Sequence, residues 1–303
     1  MAAVLLCLYW FLFSVACWLL AAIHIYDLKL PQLINDILLF GKMKDKKRKW
    51  TIAQWFEMPK RWFIHFYIVG SLTNGYFTYL YVCSYIFHHK PPTWLTFVLH
   101  FLAGVPSNAS TGPGSALLLL LLMFIQTFRR LFECMFVSVY SRSTINIIHY
   151  IMGISLYTLF PLCVLCEAPN LQTVTSNNIK DDLFIIRHIA GGVMFLVASW
   201  QQNQIHRQFA ALRKDDHGRI KTLHHKIPEG GWFQYISCPH YLMELVIYAS
   251  FIVVAGPHHI TLWTVFMFVV SNQLLSASLT HSWYKSTYKD YPSRRKAIIP
   301  YLL

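Results

Sequence analysis

The side chains best placed to do chemistry are concentrated between His224 and Glu244, in HHKIPEGGWFQYISCPHYLME. Pro228 and the glycine pair after it exclude a continuous helix, so a turn separates a basic entry from an aromatic patch. Pro239 suits the first turn of a new helix, which carries Glu244 four residues after His240 and on the same face. A carboxylate at the mouth of an apolar helix is costly unless it is paired or used, which favours a functional site. An interfacial loop with an aromatic belt is the alternative.

The elements that position this stretch are apolar. The chain has 303 residues, of which 55% are hydrophobic, 16% aromatic and only 13% charged, a composition typical of integral membrane proteins. Seven apolar segments approach the length that spans a bilayer. They cover residues 2–25, 62–87, 115–128, 145–166, 183–205, 241–256 and 260–280. We therefore expect an all-α integral membrane protein with about seven transmembrane helices.

The distribution of positive charge sets the orientation. A net charge of +13 could indicate nucleic-acid binding, but with seven spans 23 of the 26 Lys and Arg residues fall on one side of the membrane. Such a bias marks the cytosolic side. It predicts a lumenal N-terminus, a cytosolic C-terminus and no nucleic-acid partner, and it puts the 224–244 stretch in the longest cytosolic loop. The lysine-rich run 41–50 fits a topology signal that also touches membrane lipids.

No pattern indicates a metal. Cys163 and Cys166 have no second ligand pair nearby, so the spacing does not support zinc. The paired histidines lack the close histidine boxes that a membrane di-iron enzyme needs. The TGPGSA segment lies in the 88–114 stretch, which we expect to be a lumenal loop, and it lacks the third glycine and the preceding strand of a dinucleotide fingerprint.

Further polar residues cluster at the predicted cytosolic ends of the helices. Gln202, His206 and Arg213 are spaced four and seven apart and form one stripe on a helix leaving the membrane. An amphipathic exit helix looks the same, but this stripe would face the 224–244 stretch across a short loop. Arg129 and Arg130 lie at helical spacing from Glu133, which a structural ion pair explains.

The C-terminal end adds a second group. His281 and Tyr284 are one turn apart, and Arg294, Arg295 and Lys296 follow soon after. Tyrosine, histidine and arginine converging on one cytosolic face suit a phosphate-rich, aromatic ligand such as a nicotinamide dinucleotide.

Several motifs together resemble the steroid 5α-reductase family. They are RRLFECMFVSVYS (129–141), LRK (212–214), KIPEGGWFQYIS (226–237), PHYLMEL (239–245) and the ending HSWYKSTYKDYPSRRKAIIPYLL (281–303). The resemblance covers most of the chain from about Glu57 onward. It implies a seven-helix membrane fold that binds NADPH from the cytosolic side and reduces a carbon–carbon double bond conjugated to a carbonyl.

Site residues follow from the resemblance position by position. Glu57 stands where the steroid enzymes keep an acid that contacts the substrate carbonyl, and His281 lies in the C-terminal histidine motif. We expect 183–303 to be the cofactor-binding region. Its expected cofactor-side residues are Gln202, His206, Arg213, His225, Lys226, His240, Glu244, Tyr284 and Arg295. Three positions depart from the pattern: Thr127 replaces a carbonyl-binding tyrosine, His206 an aspartate and His240 an asparagine.

The chemistry constrains the substrate. Hydride adds to a β-carbon only if negative charge can flow into an electron sink, which an unsaturated aldehyde supplies and an allylic alcohol does not. Protonated Glu57 could donate the hydrogen bond that polarises the aldehyde, with His281 as the alternative acid. We expect a long-chain isoprenoid lipid as substrate and the endoplasmic reticulum membrane as location. A membrane methyltransferase for prenylated cysteine and a non-catalytic lipid carrier remain the alternatives.

Overall fold

The computed structural model describes residues 3–26, 57–103, 109–141, 143–169, 171 and 186–302. Within these ranges the chain folds into helices joined by short segments, with one small antiparallel sheet. The elements are α1 (Val4–Ile25), β1 (Glu57–Pro59), α2 (Phe63–Ile86), α3 (Thr93–Ala103), α4 (Pro113–Phe136), β2 (Thr144–Asn146), α5 (Ile147–Leu165), α6 (Ile186–Ala211), α7 (Pro239–Ala255) and α8 (Ile260–Thr287). Single 3-10 turns occupy Lys60–Trp62 and Gly231–Gln234.

Each of the seven predicted apolar segments coincides with a helix. Four helices, α1, α4, α5 and α8, are long and apolar enough to cross a membrane. Two expectations need correction. The 88–114 stretch contains helix α3, because Thr93–Ala103 is an apolar run between prolines. The chain is also not purely helical, since β1 pairs with β2. The lysine-rich run 41–50 lies outside the described residues.

Local sequence explains where the helices begin and end. Pro113 and Pro239 occupy the first turns of α4 and α7, where their missing N–H groups cost nothing. Asn146 caps α5 by accepting a hydrogen bond from the Ile148 backbone N–H at 2.9 Å. Gly256 ends α7 with φ 87°, a conformation that side chains other than glycine rarely adopt.

The core and the outer faces are both apolar, as expected of helices in lipid. Ring centroids of Phe160 and Phe251 are 5.3 Å apart inside the bundle, and a β-carbon at Gly191 would lie 2.5 Å from a Val254 methyl group. Leu12, by contrast, is 64% exposed on the outer face of α1. A helix that is apolar all round and exposed on one side fits a lipid boundary.

The sheet joins the starts of two helices. Glu57 pairs with Asn146 and Pro59 with Thr144, which holds the entry to α2 against the entry to α5. Lys60, directly after β1, is fixed by its N–H donating to the Ser143 carbonyl at 3.0 Å. The sheet therefore sets the position of a cation at this end of the bundle.

A buried carboxylate fastens the other end. Glu167, just beyond α5, accepts hydrogen bonds from Ser110 and from the backbone N–H of Thr261, at the start of α8. His259 Nδ1 lies 3.4 Å from its Oε1. Burial by itself would raise the pKa of Glu167, but its bonds with His259, Ser110 and Thr261 outweigh burial and lower the pKa to about 2. The ionised carboxylate therefore ties two helix ends and the 109–112 segment together.

Candidate active site

A cavity of about 420 Å³ opens between α2, α4, α5, α6, α7 and α8. Its apolar wall includes Phe63, Phe66, Met152, Leu156 and Phe268. Pockets of this size, mostly apolar with a few placed polar groups, are typical of small-molecule sites. Three polar groups of residues interrupt the apolar wall: a basic end, a buried polar network and a set of tyrosines.

The basic end consists of Lys60, Arg213, His224, His225 and Lys226, all of which line the cavity. Burial and the Arg213 guanidinium together lower the pKa of Lys60 to about 8. Burial also lowers the pKa of Arg213. Two partly desolvated cations held close together are stabilised by an anion between them, so the basic end fits phosphate groups.

The polypeptide around the basic end is held by hydrogen bonds from the C-terminal residues. The Tyr288 hydroxyl donates to the His225 carbonyl at 2.6 Å. Arg295 Nη1 donates to the Pro228 carbonyl at 3.0 Å, and its guanidinium lies 5.4 Å from the Tyr291 ring centre. These contacts fix the entry of the 224–244 stretch without any ligand.

The turn predicted after Pro228 is present. Gly230 and Gly231 adopt φ values of 80° and 51°, which glycine accepts at little cost. Beyond the turn, the Ser237 N–H donates to the Lys296 carbonyl at 2.8 Å. The Lys296 N–H in return donates to the Tyr235 carbonyl at 2.9 Å. The C-terminal segment therefore pairs with the 224–244 stretch just before α7 begins.

A buried polar network joins α4, α6 and α7. Glu133 is 0% exposed and pairs with both Arg129 and Arg130, as predicted. Gln202 donates to the Glu244 carboxylate and accepts from Gln126 Nε2 at 3.2 Å. Gln202, Glu244 and Arg130 all line the cavity, so the network forms part of its wall.

The tyrosine wall consists of Tyr67 on α2, Tyr157 on α5 and Tyr248 on α7, three buried side chains that line the cavity. The ring centroids of Tyr67 and Tyr157 are 5.4 Å apart. Arg130 Nε donates to the Tyr67 hydroxyl at 3.4 Å, and its guanidinium lies 5.0 Å from the ring centre. Phenol groups beside a buried cation can stabilise an oxygen that gains negative charge.

Comparison with known proteins identifies the family. A family model for 3-oxo-5-alpha-steroid 4-dehydrogenase matches residues 144–303. A polyprenal reductase of Danio rerio is 37% identical over 301 residues, covering 97% of this chain and 96% of the relative. The polyprenal reductase of Homo sapiens is 36% identical over 275 residues, covering 89% of this chain and 86% of the relative. The chain belongs to the 3-oxo-5-alpha-steroid 4-dehydrogenase family. The predicted resemblance to the steroid 5α-reductases is thereby confirmed.

Most of the site residues predicted for this family member line the cavity. They are Gln202, His206, Arg213, His225, Lys226, His240, Glu244 and Tyr284. Helical spacing places Gln202 and His206 on α6 as predicted, but that helix ends at Ala211, so Arg213 reaches the cavity from the turn after the helix and not from the expected helical stripe. Their expected roles toward a cofactor stay predictions.

The remaining three predicted residues do not line the cavity. Glu57 is part of β1, and its carboxylate accepts a hydrogen bond from Thr144 Oγ1 at 2.6 Å. His281 Nδ1 is 2.6 Å from Ser237 Oγ, and it is Ser237 that lines the cavity. Arg295 is 5% exposed and holds Pro228, as described above. None of the three lines the cavity, although His281 has a hydrogen bond to a lining residue.

Other cavity residues were absent from the predicted set. They include Lys60, Tyr67, Arg130, Tyr157 and Tyr248. Helical spacing relates Arg130 to Glu133 and Tyr248 to Glu244, but it did not indicate that either residue lines a cavity. The 17 tyrosines are spread along the whole chain, so residue type alone could not single out three of them. Only helix packing brings α2, α5 and α7 together at this point.

Thr127, expected at the position of a carbonyl-binding tyrosine in the steroid enzymes, lies within α4. Thr127 is fully buried in α4, and its hydroxyl bonds to the Met123 and Phe124 carbonyls of its own helix, each at 3.0 Å. Its hydroxyl proton is therefore used within the helix.

Among the residues that the structure describes, no cluster of three or more His, Cys, Asp or Glu side chains could hold a metal ion.

Proposed function

We propose that this chain catalyses the NADPH-dependent reduction of the α-isoprene double bond of polyprenal, a step of dolichol synthesis that supports protein N-glycosylation. The observation that carries the proposal is one cavity with a basic end, a tyrosine wall and an otherwise apolar lining. Relatives named polyprenal reductase over most of the chain support the choice of substrate.

The basic end supplies the chemistry that a nicotinamide dinucleotide phosphate requires. Arg213, Lys226 and Lys60 would hold its phosphates, and Tyr284 offers an aromatic surface on the same wall. When bound, the cofactor supplies a hydride. Because Lys60 belongs to the β1–α2 entry, we propose that the cofactor site extends beyond the 183–303 region to the first half of the chain.

The apolar wall favours a lipid substrate. Long isoprenoid tails stay in hydrocarbon, so the cavity need enclose only the aldehyde and the first isoprene units. An activity toward 3-oxo-Δ4 steroids would use the same wall, and we propose it as a side activity.

The residues of this chain act by orienting the aldehyde, excluding water and stabilising charge. Reduction adds hydride to the β-carbon and a proton to the α-carbon, while charge passes through the carbonyl oxygen. The apolar lining keeps water from that oxygen and so strengthens each hydrogen bond to it. Glu57, with His281 as alternative, is the acid proposed from the family resemblance. It would have to exchange its bond with Thr144 for one with the substrate.

We further propose that seven of the helices span the endoplasmic reticulum membrane. The N-terminus would then be lumenal, and the C-terminus and the basic end of the cavity cytosolic. Clustering of Lys60, Arg213 and Lys226 at one end of the bundle agrees with the positive-inside bias. Cysteine accessibility in sealed microsomes tests this orientation, with Lys214→Cys reactive from outside the vesicle and Pro257→Cys protected.

The test of function uses purified protein in lipid nanodiscs. Polyprenal or polyprenol is offered with NADPH, NADH or S-adenosylmethionine, and the product is identified by mass. We expect saturation of the α-isoprene unit with polyprenal and NADPH. Methyl transfer would favour the alternative enzyme class, and binding without turnover would favour a lipid carrier.

A further inference from the structure

Tyr248 has a buried hydroxyl without a hydrogen-bond partner among the described residues. The side chain is 2% exposed, lies one turn after Glu244 on α7 and lines the cavity. A buried hydroxyl that bonds to nothing is costly and uncommon. Such a group on the wall of a cavity points to a ligand atom that completes its hydrogen bond.

Two other buried tyrosines differ from Tyr248 because their hydroxyl groups are hydrogen-bonded. The Tyr81 hydroxyl donates to the Pro113 carbonyl at 3.0 Å, and the Tyr67 hydroxyl accepts from Arg130. Tyr248 is also fixed in place, since its ring meets those of Phe160 and Phe251 edge-on, at 6.4 Å and 5.4 Å between centroids. A ring held in this way cannot turn its hydroxyl toward solvent, so the donor is already positioned for a ligand.

The polar groups near the Tyr248 hydroxyl define what that ligand atom is. Its titratable neighbours include Glu244, Tyr67 and Tyr157. Glu244 already accepts a hydrogen bond from Gln202, and Tyr67 accepts from the cation Arg130. The Tyr248 hydroxyl keeps a proton to donate, and Arg130, which contacts Tyr67, lines the same cavity. A proton donor whose polar neighbours are already hydrogen-bonded favours an acceptor oxygen as the ligand atom.

We propose that Tyr248 is a catalytic residue that donates a hydrogen bond to the carbonyl oxygen of the unsaturated aldehyde. The inference rests on the proposed function. Hydride bonds to the β-carbon, the π pair of the double bond moves to form the enolate, and the Tyr248 hydrogen bond stabilises the enolate oxygen. A proton from solvent then bonds to the α-carbon and restores the carbonyl. Tyrosine keeps its own proton, the cofactor is oxidised and the double bond is reduced.

The test compares the full-length wild type with Tyr248→Phe in nanodiscs, using farnesal as a short isoprenoid aldehyde. Removing the hydroxyl should lower kcat by about 100-fold or more, as the loss of one oxyanion donor does. NADPH affinity should stay within about twofold and the unfolding temperature should not fall, because the hydroxyl satisfies nothing in the free protein. Tyr81→Phe is the matched control: it loses a structural hydrogen bond, so its stability should fall while kcat is retained.

A spectroscopic readout separates the hydrogen bond from turnover. The infrared carbonyl stretch of bound, carbonyl-labelled farnesal should lie at lower frequency in the wild type than in Tyr248→Phe. Replacing Tyr248 by 3-fluorotyrosine, which is similar in size and a stronger donor, should lower the frequency further. The 3-fluorotyrosine protein still provides a comparison with the wild type if Tyr248→Phe does not fold. Equal carbonyl frequencies in all three proteins, or a Tyr248→Phe kcat near that of the wild type, would overturn the assignment. If the wild type reduces no aldehyde, the proposed function fails, while the frequency comparison still decides whether Tyr248 binds the oxygen.

Discussion

The Lys60 ammonium and the Arg213 guanidinium converge on the basic end of the cavity, and this proximity, added to burial, lowers the pKa of Lys60 to about 8. One cation comes from the entry to α2 and the other from the residues after α6, which are far apart in sequence. Holding them together opposes their mutual repulsion. An anionic ligand that lies between them removes this cost, so the pair is best understood as half of a phosphate site.

A pH dependence of cofactor binding follows from this pair. A phosphate that pairs with Lys60 raises the pKa of the bound lysine, so binding takes up a proton once free Lys60 begins to lose its own near pH 8. NADPH affinity should be level below that pH and weaken above it, by up to about tenfold per pH unit. Calorimetric titration across this range measures the slope. Lys60→Arg keeps its charge and should remove most of the slope. A Lys60→Arg slope equal to that of the wild type would exclude Lys60 as its source.

Substitutions of Arg213 and Arg295 should differ in their effects on the KM values for NADPH and NADH. Arg213 lines the cavity, so Arg213→Ala should raise the KM for NADPH about tenfold more than the KM for NADH. Arg295 does not line the cavity and donates to the Pro228 carbonyl, so Arg295→Ala should weaken the binding of both cofactors alike and lower the unfolding temperature. Steady-state kinetics of both variants with NADPH and with NADH measure these changes in KM. A selective loss of NADPH in Arg295→Ala alone would restore the phosphate role predicted for Arg295 from the sequence.

Glu244 should act through Gln202. Because their side chains are hydrogen-bonded on the cavity wall, Glu244→Gln should weaken NADPH binding while single-turnover hydride transfer at saturating cofactor stays within about tenfold. In a double-mutant cycle, Gln202→Ala should add little to Glu244→Ala. Unchanged affinity with a collapse of hydride transfer would instead make Glu244 part of the proton chemistry.

Glu167 should govern stability and not catalysis. Its folded pKa of about 2 is below the ordinary value of 4.5, so the ionised carboxylate stabilises the fold above pH about 4.5 and this contribution is lost as the pH falls toward 2. Glu167→Gln should lower the free energy of unfolding by about 1–3 kcal/mol near neutral pH, with less difference from the wild type in acid. Thermal unfolding in nanodiscs provides the measurement, and exposed Glu229→Gln is the control. Equal stabilities of Glu167→Gln and the wild type at neutral pH would refute the role.

Sequence reasoning reached those features that depend on local pattern. Apolar runs and their prolines predicted the helices, and helical spacing predicted that Gln202 and His206 reach one cavity from α6. Arg213 lines the same cavity from the turn after that helix, which the spacing did not predict. The glycine pair after Pro228 predicted a turn, and its positive φ values explain why glycine is there.

Features that depend on tertiary contacts were beyond that reasoning. Arg295 was expected on the cofactor side from the family resemblance, and that role stays a prediction, but the sequence did not predict that its guanidinium reaches Pro228. Tyr248 lies one helical turn after Glu244, but nothing in the sequence relates it to Tyr67, and only the packing of α2 and α7 around one cavity brings the two tyrosines together. The β1–β2 pair was missed because three-residue strands are too short to show an alternating pattern.

The most direct test of the account follows the hydride itself. Purified protein in nanodiscs is given polyprenal and NADPH deuterated at the transferring position, and the product is analysed by mass and by NMR. We expect one deuterium on the β-carbon of a saturated α-isoprene unit, with the aldehyde retained. Tyr81→Phe should give the same product as the wild type at a similar rate. Deuterium on the carbonyl carbon, equal reduction of polyprenol in place of polyprenal, or no transfer at all would contradict the assignment.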